Sequence, residues 1–253
     1  MKSASIFRYI LLFDLLFITQ VISQSNNCSQ KLPSIILWAW ERPEDLRFID
    51  PQKVAIAFLA KSIELSGNKT KTYSRLQPLR VPHGTALIGV VRITTNIHST
   101  PSFSSEQRQK VITNILAIDR TPGMRAIQID FDAKTSERRF FRDLLWELHR
   151  RLPDSISLSI TALASWCIFD TWISDLPIDD AVPMLFRLGP DGSEILHRLQ
   201  SGEDFRIAMC QQSIGISTDE TIPRIPYNRR VYIFNPHPWS HEAFQSIMEK
   251  IDR

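Results

Sequence analysis

Eight short apolar segments recur along this chain, at residues 34–40, 54–61, 86–94, 125–132, 155–161, 181–188, 206–212 and 230–234. Their starts lie 20 to 39 residues apart. That spacing is too wide for a meander of hairpins but leaves room for a crossover between parallel strands. Helical patterns fill three of the gaps. Ser104-x-x-Gln107 matches a capping box ahead of Val111, Ile112, Ile115 and Leu116. Phe140, Phe141, Leu144, Leu145, Leu148 and Leu152 share one face, and Ala243, Phe244, Ile247, Met248 and Ile251 mark a last helix. Residues 68–80 read as a polar excursion and 215–228 as a Pro-containing loop. The pattern predicts an α/β chain folded as a compact (β/α)8 TIM-like barrel with some degenerate helices. An open doubly wound sheet is the rival, and the lack of a glycine-rich first turn disfavours its dinucleotide-binding form.

Residues 1–23 read as a secretory signal peptide, with Lys2 and Arg8 ahead of a mostly apolar run and small residues near Ser23. Residues 24–33 form an N-terminal extension, and 34–253 a single barrel domain. The expected destination is export to a periplasmic or extracellular space, with anchoring by an uncleaved signal as the alternative. No second long apolar run follows, so no stable transmembrane span is expected in the mature chain. Asn27-Cys28-Ser29 and Asn68-Lys69-Thr70 match the glycosylation sequon.

Composition narrows the function. In 253 residues, 30 Lys+Arg against 27 Asp+Glu leave a charge of +3 with no dense basic block, which argues against nucleic acid. Eight Gly against 15 Pro disfavour a glycine-rich phosphate cradle, and no cofactor is expected. Cys28, Cys167 and Cys210 allow at most one bridge; Cys167 and Cys210 lack metal-ligand spacing and read as small buried apolar residues. His237 and His241 are separated by Pro238 and make a poor metal face, so no metal site is expected.

The fourth segment, RAIQIDFD, carries the chemistry. Side chains alternate along a strand, so Ile127, Ile129 and Phe131 should pack on helices while Ala126, Gln128, Asp130 and Asp132 enter the barrel. Two carboxylates on one face repel, so one can hold a proton while the other stays ionised. Asp132, nearer the C-terminal mouth, is the candidate general acid and Asp130 its partner. Arg92, on the neighbouring strand, would help line the site, as would Glu41 beyond the first strand. A purely structural pairing of either aspartate with Arg92 is the competing reading. Trp38, Trp40, Trp166, Trp172 and Trp239 all follow or end expected strands, where their flat faces could stack on sugar rings.

The segments IILWAWERPEDLRFID, IQIDFDAKTSERRFFRDLLWELHRRLP, SLSITALASW and AVPMLFRLG resemble the bacterial family known as domain of unknown function 3142. That resemblance implies an exported barrel-like protein without an assigned activity. More loosely, the fourth strand resembles the Asp-x-x-Asp-x-Asp-x-Glu of chitinase-like glycoside hydrolases. Asp132 stands at the proton-donor Glu, Asp130 at the preceding Asp and Gln128 at the earlier one. On strand six, where those enzymes carry Met-x-Tyr-Asp, this chain has Met184-Leu185-Phe186-Arg187. The change removes groups that assist an acetamido sugar and argues against that form of catalysis; Trp239 matches the family's ring-stacking tryptophan by position. Arg187 joins the expected binding residues. The expectation is an exported carbohydrate-active barrel that hydrolyses a glycosidic bond. The alternative is a non-catalytic barrel binding glycan or a cell-envelope partner, and a metal-dependent hydrolase is third.

Overall fold

The computed structural model describes residues 32–251 apart from 119, 120 and 227. The signal segment 1–23 and most of the extension lie outside the described residues. The strands are β1 (Ile35–Ala39), β2 (Glu44–Asp45), β3 (Val54–Ser66), β4 (Lys69–Ser74), β5 (Leu79–Arg80), β6 (Leu87–Thr95), β7 (Met124–Asp130), β8 (Ser157–Leu163), β9 (Asp180–Met184), β10 (Ser213–Ser217) and β11 (Arg230–Phe234). The α-helices are α1 (Ser105–Leu116), α2 (Arg138–Arg151), α3 (Gly192–Gln200) and α4 (His241–Ile251).

Strands β1, β3 and β6 to β11 run parallel in sequence order, and β1 pairs with both β3 and β11. The sheet therefore closes into an eight-stranded (β/α)8 barrel, as the spacing of apolar segments predicts. The outward face of β7 and β8 (Ile127, Ile129, Leu158, Ile160) belongs to the larger core, together with Phe140, Phe141, Leu144, Leu145 and Leu148 of α2. Truncating one such buried Leu or Phe to Ala typically costs about 2–5 kcal/mol. Inside the barrel a second, smaller core holds Trp38 and Tyr232 among Ala55, Ala57, Ala126 and aliphatic neighbours. Small residues on the inner faces make room for those two large rings.

Four stretches differ from the sequence reading, the first being the sixth barrel strand, which ends at Met184 instead of running to residue 188. The seventh barrel strand is Ser213–Ser217, whereas residues 208–211 of the expected segment form a 3-10 turn. Apolar content misleads there, because Cys210 is drawn out of the barrel into a disulfide with Cys167. Ser213, Gly215 and Ser217 look loop-like in sequence but alternate with the buried Ile214 and Ile216. A Cβ on Gly215 would lie 2.8 Å from Cη2 of Trp38, so glycine is what lets the indole fill the interior. The two cysteines are thus buried and bridged rather than free apolar residues.

The excursion at 68–80 is an ordered hairpin and a short bridge. Beyond Phe58, where pairing with β1 stops, β3 continues and takes β4 on its freed edge in antiparallel register from Lys61 to Ser66. Pro78 follows, and β5 then pairs with β2. The helix expected nowhere in advance is α3, which buries Ile195 and Leu199 at i, i+4 spacing.

The α1 cap forms with a changed partner. Ser104 Oγ accepts from the Gln107 N–H at 3.2 Å, as a capping box requires, but Gln107 Oε1 accepts from the Phe103 N–H. The buried Gln107 amide also donates to the carbonyls of Gly67 and Lys69, which ties the β3–β4 hairpin to the helix.

Candidate functional site

Alternation along the strands delivers polar side chains to the barrel interior, and their polarity increases toward the C-terminal mouth. On β7 the order is Ala126, Gln128, Asp130, with Asp132 just past the strand end. The Trp38 indole N–H donates to Gln128 Oε1 at 2.9 Å. Asp130 lies directly opposite Arg92 of β6 in the parallel register, with Arg92 Nε 3.9 Å from Asp130 Oδ2. From the other side, the Thr161 hydroxyl of β8 donates to Asp130 Oδ1 at 2.8 Å.

Burial is the main influence on the Asp130 carboxyl and pushes its pKa up to about 6. The Thr161 hydrogen bond pulls it back, the Asp132 charge adds to the rise, and Arg92 opposes it. Burial also raises Asp132, with Arg92 the opposing influence. Asp132 is crowded by protein on one side and exposed at the cavity on the other.

Both aspartates line a cavity of about 590 Å³ at the barrel mouth. Trp38, Trp40, Arg92, Thr161, Phe186, Arg187, Asp191 and Phe234 share its walls. Phe186 and Phe234 stack with ring centroids 5.8 Å apart and planes at 4°, and Trp40 meets Phe234 edge-on at 6.3 Å. The Arg187 guanidinium lies over the Phe234 ring at 5.2 Å. Its backbone is left-handed (φ 50°), and its N–H donates to both carboxylate oxygens of Glu220 at 2.9 and 3.2 Å.

Six of the residues singled out in sequence therefore meet at one cavity: Asp130, Asp132, Trp38, Trp40, Arg92 and Arg187. Glu41 lines a separate pocket of about 280 Å³ with Lys61, Tyr73 and Arg75. Arg75 joins the two regions by donating to the carbonyls of Trp40 and Arg42. Trp166 and Trp239 do not reach either pocket. Trp166 is buried edge-on against Trp172, 5.0 Å away, beside the Cys167–Cys210 bridge. Trp239 is buried behind β1, where its indole donates to the Trp38 carbonyl and its backbone N–H to Glu44, both at 2.9 Å.

Phe234, Thr161 and Asp191 were missed as site residues. Phe234 has the same parity as Tyr232 on the last strand, and Thr161 the same as Ser159 on the fifth. Strand alternation could have found both. Asp191 follows β9 on a connection, where alternation gives no signal.

Among the described residues, no group of three His, Cys, Asp or Glu side chains is placed to hold a metal ion. None of their helices is long and apolar enough to cross a membrane.

No protein-family model matches the chain, and comparison with curated proteins gives no match. Several solved structures are similar to it, two of which follow. One is the Bacillus cereus spore cortex-lytic enzyme SleL, at 18% identity and TM-score 0.48, covering 88% of this chain and 59% of that one. The other is a candidate Chitinase A from Streptomyces coelicolor, at 10% identity and TM-score 0.53, covering 87% of this chain and 95% of that one. The chain thus spans 59% of the length of the cortex-lytic enzyme. What it shares with the Streptomyces protein is its fold.

Proposed function

We propose that this chain is an exported glycan-acting barrel that hydrolyses a glycosidic bond at its C-terminal mouth. The observation that carries the reading is the pairing of a deep carboxyl, Asp130, with an open one, Asp132, on the wall of an aromatic-lined cavity. Asp132 is the general acid in this reading: it lines the cavity where the leaving oxygen would sit, and burial shifts its carboxyl upward, the direction an acid needs. Asp130 sits behind it between Thr161 and Arg92. Those two contacts fix its carboxyl in place and hold the Arg92 guanidinium beside the pair. Asp191 is the third carboxyl on the cavity and the group available to activate water. Trp40 and Phe186 offer the flat faces on which sugar rings stack, while Phe234 is covered by Phe186 and the Arg187 guanidinium.

Export is supported by the signal pattern of residues 1–23 and by the Cys167–Cys210 bridge, which suits an oxidising periplasmic or extracellular space. The described fold also leaves no helix for a membrane span.

A second reading, a barrel that binds glycan without cleaving it, is favoured by Phe186 and Arg187, just past the end of β9. They replace the Tyr and Asp of the chitinase-like pattern. A glycan panel scored for both binding and product release separates the two. Asp132→Asn should lower turnover by about 10²–10⁴-fold with an unchanged melting temperature. An Asp132→Asn protein that still turns over sinks the catalytic assignment. Wild-type protein that binds oligosaccharides and never releases products supports the binding-only form.

A further inference from the structure

Arg187 combines three features that burial and packing alone do not require. It is a non-glycine residue with a left-handed backbone, a conformation disfavoured for an L side chain and tolerated only where surroundings enforce it. Glu220 enforces it by accepting the Arg187 N–H with both carboxylate oxygens, so Glu220 is spent on the backbone rather than on the guanidinium. The guanidinium itself rests on the Phe234 ring at the cavity wall. Among the described residues no carboxylate comes within ion-pair distance of it; Asp219 feels it only through space.

If Arg187 served only to cover Phe234, an aliphatic side chain would do so without placing at the cavity a solvent-exposed charge that no carboxylate pairs directly. A guanidinium whose backbone is pinned and whose plane is supported by a ring loses little freedom on binding an oxyanion. Arg92 adds a second positive group to the same cavity, only partly engaged by Asp130 at 3.9 Å. Asp130, Asp132 and Asp191 set the upper limit on the ligand's charge, because a dianion such as a phosphate monoester would meet three carboxyls there.

We propose that the glycan taken by this cavity carries a singly charged oxyanion, a carboxylate or a sulfate ester, and that the Arg187 guanidinium receives it. This rests on the glycan-acting reading above and specifies its substrate class. A wholly neutral polysaccharide is the ligand it excludes.

The test is calorimetric titration of the full-length Asp132→Asn protein, which binds without consuming ligand. The probes are matched oligosaccharide pairs: uronate-bearing or carboxyalkyl-ether sugars against their carboxyl-reduced twins, and sulfated sugars against their desulfated twins. One charged series should bind at least about tenfold more tightly than its neutral twin. The preference should shrink as salt is added. Which series shows it separates carboxylate from sulfate. In the Asp132→Asn background, Arg187→Gln should erase the preference and Arg187→Lys should restore part of it. Equal affinity for charged and neutral twins overturns this inference and leaves the glycan reading intact. Absence of binding to any member overturns the glycan reading and this inference with it. A preference that survives Arg187→Gln at full size overturns the role of Arg187. Since the preference is first read with Arg187 in place, an Arg187→Gln variant that fails to fold does not remove the test.

Discussion

The indole N–H of Trp38 donates to Oε1 of Gln128 at 2.9 Å, a bond that crosses the barrel interior from the first barrel strand to the fourth. Neither strand neighbours the other, so the bond braces the barrel across its width. Gln128 Nε2 is buried and has no hydrogen-bond partner, so the bond to Trp38 is what holds the amide in place.

Removing only one partner of that bond should therefore be worse than removing both. Gln128→Leu leaves a buried indole N–H unpaired and should cost about 1–3 kcal/mol. Trp38→Phe adds a packing loss, but Trp38→Phe with Gln128→Leu should be more stable than the two single effects predict. Urea unfolding of the four proteins measures the coupling. Strict additivity would mean the bond contributes nothing.

The buried Asp130 carboxyl makes stability fall as pH rises. Its pKa is about 6 in the folded protein against an ordinary 3.8, so the folded state holds the proton more tightly. The resulting stabilisation is complete below about pH 3.8 and is lost as pH climbs through about 6, by up to about 3 kcal/mol. Asp180 at the barrel floor, raised to about 6 by burial against the pull of Arg230, acts in the same direction. Asp130→Asn should flatten the loss between pH 4 and 7 by the Asp130 share. Denaturant midpoints across that range decide it, and equal slopes in variant and wild type would contradict the burial effect.

Two tryptophans that look alike in sequence should behave differently. Trp166 is 4% exposed and sits in the outer core, so Trp166→Ala should cost about 3–5 kcal/mol and leave the folded protein's glycan affinity unchanged. Trp40 lines the cavity, so Trp40→Ala should weaken glycan binding by about tenfold with a small effect on unfolding. Paired melting and titration experiments would reveal a reversed assignment at once.

The Cys167–Cys210 bridge joins residues 43 apart in sequence and ties the turn after β8 to the turn before β10. Loop-closure entropy for that separation is worth up to about 4 kcal/mol, and typical bridges contribute about 2–4. Cys167→Ser with Cys210→Ser should lower the melting temperature by about 5–15 °C. Reductant should shift the wild type similarly and leave the double variant unmoved.

What could be read from sequence was whatever depends on strand parity. The outward Ile127, Ile129 and Phe131, the inward Gln128 and Asp130, and the adjacency of Arg92 all follow from alternation on neighbouring strands. Parity ends where strands end. Trp166 and Trp239 follow strands as Trp40 does, but the turn at residues 166–170 and the backbone bond from Trp239 to Glu44 direct their rings into packing layers. The seventh strand was illegible for another reason. Gly215 makes sense as a strand residue only when Trp38, far away in sequence, occupies the space above it. The disulfide is likewise a long-range pairing that neither cysteine's neighbours announce.

A closed barrel has no rim along its sides, yet the β3–β4 hairpin gives this one an open border. β4 pairs with β3 on one side only, so its other side offers unpaired backbone groups to any passing strand. The residues there guard it: Lys69 and Lys71 are exposed and alternate with the half-buried Thr70 and Thr72. Two ammonium groups on so short an edge repel a second copy of the same strand. The two lysines are thus sentinels on this border, disfavouring the zipping of one molecule's edge onto another's.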